Sequence, residues 1–76
     1  MVTVYSKPNC MQCEMSKRYL KDKGVAFEEI NIVDHPEAVE KLKLYGFGSM
    51  PVVANGSLDD AWSGFRPDRL EKLAHD

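Results

Sequence analysis

The apolar positions of this chain change period several times, and each change marks an element. Val2 and Val4, with Thr3 and Tyr5 between them, are β-branched or aromatic and stop at Ser6-Lys7-Pro8-Asn9. That predicts a strand over about 2–5 running into a turn. From Cys13 to Lys23 there is neither Gly nor Pro, and Met15, Tyr19 and Leu20 recur at helical spacing before Gly24. A helix over about 11–23 follows, with Met15 in the core and Gly24 just past the end. Val25 to Val33 returns to strand character in a mixed phase: Val25 and Phe27 fit one face, Ile30 and Ile32 the other. Such mixing suits a strand covered on both sides, or one whose twist changes.

Asp34-His35-Pro36-Glu37 has the D-x-x-E form of a capping box, with Pro tolerated in the first turn. Ala38, Leu42 and Tyr45 then stand at i, i+4 and i+7 before Gly46, predicting a second helix over about 35–45 with those three residues inward. Pro51-Val52-Val53-Ala54 reads as a strand, Asn55-Gly56 as a hairpin turn, and Leu58 to Trp62 as the returning strand. Pro67 opens a last helix that turns Leu70 and Leu73 inward. The order is β-α-β-α-β-β-α, an α/β chain forming one domain over residues 1–76 without repeat or linker. A right-handed β-α-β unit makes the first two strands parallel and brings Cys10 to the carboxyl edge of the sheet, where α/β folds place their sites.

With 76 residues, the core is small, because a chain of this size buries only about 60% of its unfolded surface. A hydrophobic fraction of 43% beside 29% charged residues is globular composition and argues against disorder. Ten basic against twelve acidic residues leave a net charge of −2, which excludes a nucleic-acid binder relying on bulk positive charge. No apolar run approaches a membrane span, and Met1-Val-Thr-Val-Tyr-Ser lacks the regions of a secretory signal, so the expected compartment is the cytoplasm.

Cys10 and Cys13 are the two cysteines. As a staple they close a loop of four residues, for which loop entropy predicts roughly 2 kcal/mol against about 4.7 for a 100-residue loop. So weak a staple points to chemistry. At the start of a helix, unpaired amides and the helix dipole favour a negative charge on Cys10 and lower its pKa from the free value of about 8.5. Lys7, three residues upstream, adds to that effect. Two intervening residues, Met11 and Gln12, let Cys13 fold back beneath Cys10 and form a disulfide. A C-x-x-C that follows a strand and opens a helix is a redox signature. The competing use is half of a zinc site, which needs four ligands; the chain offers only His35 and His75 besides the cysteines, not spaced as a second pair. No metal is expected.

Three further features stand out. Met50-Pro51 opens a strand, with nothing in the dipeptide to fix its isomer. Trp62-Ser63-Gly64-Phe65-Arg66-Pro67 gathers two aromatics and a cation around a glycine, reading as core filling plus helix entry for Phe65. Lys17, Arg18, Lys21 and Lys23 form a basic run on the first helix: a solvated face or, alternatively, a dock for an acidic partner. Met11, beside the nucleophile, is placed to line a peptide groove.

Cys10-Met11-Gln12-Cys13, Ser49-Met50-Pro51-Val52-Val53 and Trp62-Ser63-Gly64-Phe65-Arg66-Pro67-Asp68 together make the chain resemble the thioredoxin-fold superfamily. Within it, the chain resembles the glutaredoxin-like NrdH-redoxins, over essentially its whole length, with W-S-G-F-R-P as the most specific stretch. The resemblance implies a thioredoxin fold, a four-stranded mixed sheet flanked by three helices. It implies a dithiol-disulfide oxidoreductase in which Cys10 attacks, Cys13 resolves and Pro51 follows a cis bond and faces them. It further implies a disulfide partner in the large subunit of class Ib ribonucleotide reductase, re-reduction by a flavin-dependent thioredoxin reductase using NADPH, and no cofactor on this chain. Lys7, Met11, Gln12, Met50, Pro51 and Trp62 are the implied partner-binding residues, and Ser63, Gly64, Phe65 and Arg66 the implied support. Glutathione-dependent glutaredoxins usually carry C-P-Y-C, T-V-P and G-G-x-x-D where this chain has Cys10-Met11-Gln12-Cys13, Ser49-Met50-Pro51 and Ser63-Gly64-Phe65-Arg66. Lys7 does match a glutaredoxin position. A glutathione-coupled glutaredoxin is the alternative, and a redox-inert binding or metal-carrying module the third reading.

Overall fold

In the computed structural model, which describes residues 1–75, the elements run β1 (Val2–Ser6), α1 (Met11–Asp22), β2 (Phe27–Asn31), α2 (Pro36–Leu44), β3 (Val52–Asn55), β4 (Ser57–Ser63) and α3 (Pro67–His75). The strands form one mixed sheet in the order β2-β1-β3-β4. β1 pairs in parallel with β2 and antiparallel with β3, which pairs antiparallel with β4. This is the expected thioredoxin fold.

Two apolar clusters lie on opposite faces of the sheet, as the alternation of strand side chains requires. Val2, Val4, Val53 and Trp62 pack with Leu20 of α1 and Leu70 of α3, and Val25, Phe27, Phe65 and Leu73 close around them. Tyr5, Val52, Ala54 and Leu58 pack with Ala38 and Leu42 of α2, joined by Ile30, Ile32, Phe47 and Met50. The mixed phase around β2 is thus resolved by cover on both sides: Val25 and Phe27 serve one cluster, Ile30 and Ile32 the other.

Helix ends depart from expectation in informative ways. After α1, Val25 N–H donates to Leu20 O at 2.9 Å and Gly24 N–H to Lys21 O at 3.1 Å, a Schellman motif. Val25 therefore belongs to the helix exit and β2 begins two residues later. Phe47 N–H to Leu42 O and Gly46 N–H to Lys43 O end α2 in the same way. The capping box at Asp34 does not form. Asn31 O accepts from both Asp34 N–H and His35 N–H, and Asn31 Oδ1 accepts from Val33 N–H, so the turn consumes these residues and His35 becomes the N-cap. Tyr45 is exposed at the C-cap, because the chain is already leaving the helix there. On α1 the inward stripe is Cys13, Ser16 and Leu20, which leaves Met15 exposed, not in the core.

The β3–β4 hairpin turns at Gly56, but its register changes along its length. Between the Asn55–Ser57 and Val53–Trp62 pairs, β3 advances by two residues and β4 by five. An odd slip reverses the face of a strand. Leu58 consequently enters the α2 cluster, while Trp62 enters the α1/α3 cluster.

A dithiol site at the N-terminus of α1

β1 ends at Ser6 and a four-residue loop, Lys7 to Cys10, delivers the chain to α1. Asn9 takes a left-handed φ of 57° in this loop, a conformation that Asn tolerates better than most side chains. Cys10 is the N-cap residue, with extended φ of −116° and ψ of 105°. Its Sγ accepts from Cys13 N–H at 3.2 Å, and its carbonyl accepts from Glu14 N–H at 3.2 Å. Cys10 and Cys13 are joined as a disulfide across this first turn. The two sulfurs are not equivalent. Cys10 retains accessible surface, whereas Cys13 is 1% exposed on the inward face.

Three motifs distant in sequence meet here. The Cys10 Sγ lies 3.8 Å from Met50 O, and the Met50–Pro51 bond is cis, as the resemblance implies. Gly64 N–H donates to Pro51 O at 2.8 Å, and Phe65 N–H donates to Gln12 Oε1 at 2.9 Å. The C-x-x-C, the Met50-Pro51 corner and the β4–α3 loop are thus bonded to one another. Gly64 has φ of 89°, and a Cβ there would meet Gln12 Oε1 at 3.3 Å, so both backbone conformation and proximity favour glycine.

Several expected contact residues take other places. Trp62 is 7% exposed, a core residue of the α1/α3 cluster, because the hairpin slip turns it inward. Arg69 lies 5.0 Å from its ring centroid, and Nε1 is buried with no hydrogen-bond partner among the described residues. Pro51 is fully buried as well, so the accessible part of that corner is Met50. The amide oxygen of Gln12 is occupied by the β4–α3 loop. Met11 is exposed and borders an open depression with Asn9, Cys10 and Glu14. Lys7 and Met50 line a cavity of about 140 Å³ whose other walls include Ile32, Val39, Leu42 and Phe47. Ser63 ends β4 opposite Val52, and Arg66 caps α3 through its carbonyl, which accepts from Leu70 N–H at 2.9 Å. Its exposed guanidinium lies 3.6 Å from Asp68 Oδ1.

The basic run on α1 is not uniformly solvated. Lys17 Nζ donates to Glu14 Oε1 at 3.0 Å and to Glu29 Oε2 at 2.8 Å, and Glu29 Oε2 also accepts from Ser6 Oγ at 2.7 Å. The bond to Glu29 is the main cause raising the Lys17 pKa, against desolvation. The same bond, with that from Ser6, lowers the Glu29 pKa below the ordinary carboxylate value. Glu29, Ser6 and Glu14 did not emerge from sequence. A polar residue facing α1 from a strand otherwise phased as apolar was the available signal.

A glutaredoxin family model matches residues 2–58. The chain is 55% identical over 74 residues to the glutaredoxin-like protein NrdH of Lactococcus lactis, covering 97% of this chain and 100% of that one. The chain belongs to the glutaredoxin family. Within the family it groups with the glutaredoxin-like NrdH proteins. It is 44% identical to the Escherichia coli K12 NrdH over 72 residues, covering 95% of this chain and 86% of that one. The solved NrdH-redoxin of Escherichia coli superposes with a TM-score of 0.88 at 44% identity, over 95% of this chain and 92% of that chain. This glutaredoxin-like protein is a redox protein built on the Cys10–Cys13 pair. Among its described residues no helix is long and apolar enough to cross a membrane.

Proposed function

We propose that the protein is a dithiol electron carrier that reduces a disulfide in a partner protein, with Cys10 as nucleophile and Cys13 as resolving thiol. The observation that carries this reading is the asymmetry of the pair: Cys10 is accessible at the helix N-cap with its sulfur on the Cys13 amide, while Cys13 is buried behind it. In the reduced protein that amide and the helix N-terminus favour the Cys10 thiolate. The thiolate attacks one partner sulfur, forming a Cys10–partner disulfide and expelling the other partner sulfur as thiolate. Cys13, losing its proton, then attacks Cys10 Sγ, which releases the second partner thiolate and closes the Cys10–Cys13 disulfide. Two electrons pass to the partner, and two protons complete its thiols. The Met50 backbone, beside Cys10, offers pairing to an extended partner segment, and Lys7 and Met11 flank its path.

The proposed partner is the large subunit of class Ib ribonucleotide reductase, and the proposed electron source is flavin-dependent thioredoxin reductase, which passes electrons from NADPH. Support comes from the resemblance to NrdH proteins and from the Escherichia coli NrdH-redoxin, a protein with a thioredoxin-like activity profile. A glutathione-coupled second reading draws on Lys7, the cation lining the cavity beside Met50. Glutathione carries two carboxylates, and binding them takes several preorganised donors. NADPH oxidation with a protein disulfide acceptor separates the two. Turnover with thioredoxin reductase well above that with glutathione and glutathione reductase is expected. Equal or faster turnover with glutathione would assign the protein to the second reading.

A further inference from the structure

Ser6, Glu29, Lys17 and Glu14 form a continuous polar line on the α1 face of the sheet, outside the Cys10–Cys13 turn. Ser6 is the last residue of β1 and 2% exposed. Lys17 stands on α1 four residues after Cys13, with a side chain 13% exposed. The loop carrying Cys10 leaves from one of these residues and enters the helix that holds the other. A single carboxylate oxygen, Glu29 Oε2 on β2, bonds to both, at 2.7 Å and 2.8 Å.

Cover for this edge of the sheet does not require charge, since an apolar pair would spare the desolvation of an ion pair. Residues four apart on a helix have Cβ atoms about 5–6 Å apart, so Lys17 stands on the Cys13 side of α1. An unanswered ammonium there draws nearby thiols toward the thiolate. Glu29 and Glu14 answer it. The charged groups facing the line are Glu14, Lys17 and Lys21 on α1 and Glu29 on β2, while β1 contributes the Ser6 hydroxyl. Lys7 adds a cation on the loop itself.

We propose that Glu29 is a positioning residue for the redox pair: one oxygen ties Ser6, where the Cys10 loop begins, to Lys17 within α1, and its charge offsets Lys17, keeping Cys10 less acidic and the dithiol more strongly reducing than the helix N-terminus with an unanswered Lys17 would leave it. This rests on the reading of Cys10 as the attacking thiol. The couple is unchanged: the disulfide takes up two electrons and two protons to give the dithiol. A less stabilised thiolate makes the reduced form the better donor.

The test follows iodoacetamide alkylation of Cys10 against pH on the reduced full chain, by peptide mass, together with the equilibrium of the pair against dithiothreitol at pH 8. Glu29→Gln leaves Lys17 answered by the exposed Glu14 alone. Its alkylation midpoint is expected to fall by about half a pH unit, a roughly threefold gain in rate below the midpoint, and its pair to become less reducing. Lys17→Met leaves the carboxylates in excess and is expected to shift both readouts the opposite way, and the double variant to return toward wild type. Opposite signs are the signature of charge, since a structural lesion would displace both variants alike. Shifts of the same sign, or none in either variant while the wild type cycles through Cys10, would overturn the inference alone. A wild-type pair that does not equilibrate, or that alkylates first at Cys13, would overturn the proposed function and this inference with it.

Discussion

On the α2 face of the sheet, Ala38 and Leu42 close over Tyr5, Val52, Ala54 and Leu58 in an almost wholly apolar contact. The α1/α3 face has an equally apolar centre in Val4, Leu20, Val53 and Leu70, yet toward the carboxyl end of β1 and the middle of β2 it gives way to Ser6, Glu29 and Lys17. The change of material coincides with the approach to Cys10. Apolar contact is non-directional and tolerates small displacements, whereas a thiolate at a helix N-cap depends on where amides and charges point. The fold keeps dispersion and burial for the face that only has to hold, and directed polar bonds for the face that has to react.

The largest effect expected from this division is functional. Compared with the reduced wild type, Cys10→Ser should reduce disulfide-reductase turnover to background while shifting the thermal midpoint little, since no disulfide is lost and Ser suits the N-cap position that Cys10 holds. An insulin-type reduction assay beside thermal unfolding checks both halves. Leu58→Ala on the opposite face should do the reverse. Deleting a side chain 7% exposed costs about 2–5 kcal/mol of stability, with turnover per folded molecule unchanged. A redox defect in folded Leu58→Ala would show that the two faces are not separable.

Smaller effects sharpen the boundary between them. Gln12→Ala removes the acceptor for Phe65 N–H and should cost about 0.5–1.5 kcal/mol. The Phe65 amide should then exchange with solvent faster than its neighbours, as read by hydrogen exchange. The pH dependence should be slighter still. The Glu29 pKa is lowered from 4.5, so its stabilising contribution is complete above pH 4.5 and is lost as pH falls through the depressed value. With its side chain 40% exposed, the effect is screened. Thermal midpoints taken from about pH 6 to about pH 3 should fall less for Glu29→Gln than for wild type.

Much of this was legible in the residues. The seven elements follow from changes of apolar period and from Gly24, Gly46, Asn55-Gly56 and Pro67, because helix exits and turns have local chemistry. Cys10 at the head of α1 follows from a strand, a turn and a glycine-free run in sequence. The hairpin slip was not legible: its three extra residues on β4 satisfy the same alternation as a regular strand, and only pairing with β3 turns Trp62 inward. The cap of α2 differs from the D-x-x-E pattern because Asn31, three residues before Asp34, takes the Asp34 N–H that the Glu37 carboxylate would accept from in a capping box, and the His35 N–H with it. Lys17 looked like one of four solvated lysines and arginines, since nothing local to α1 announces a carboxylate arriving from β2. Local signals set the elements and the nucleophile, while its polar setting depends on pairs distant in sequence.

The most direct measurement of the central claim is the trapping of a mixed disulfide. Reduced Cys13→Ser and Cys10→Ser proteins are each mixed with a disulfide-containing protein acceptor, quenched in acid and mapped by mass spectrometry. Cys13→Ser is expected to accumulate a covalent complex joined through Cys10, because attack proceeds and resolution does not, and Cys10→Ser to accumulate none. Equal capture by Cys10→Ser, joined through Cys13, would contradict the claim.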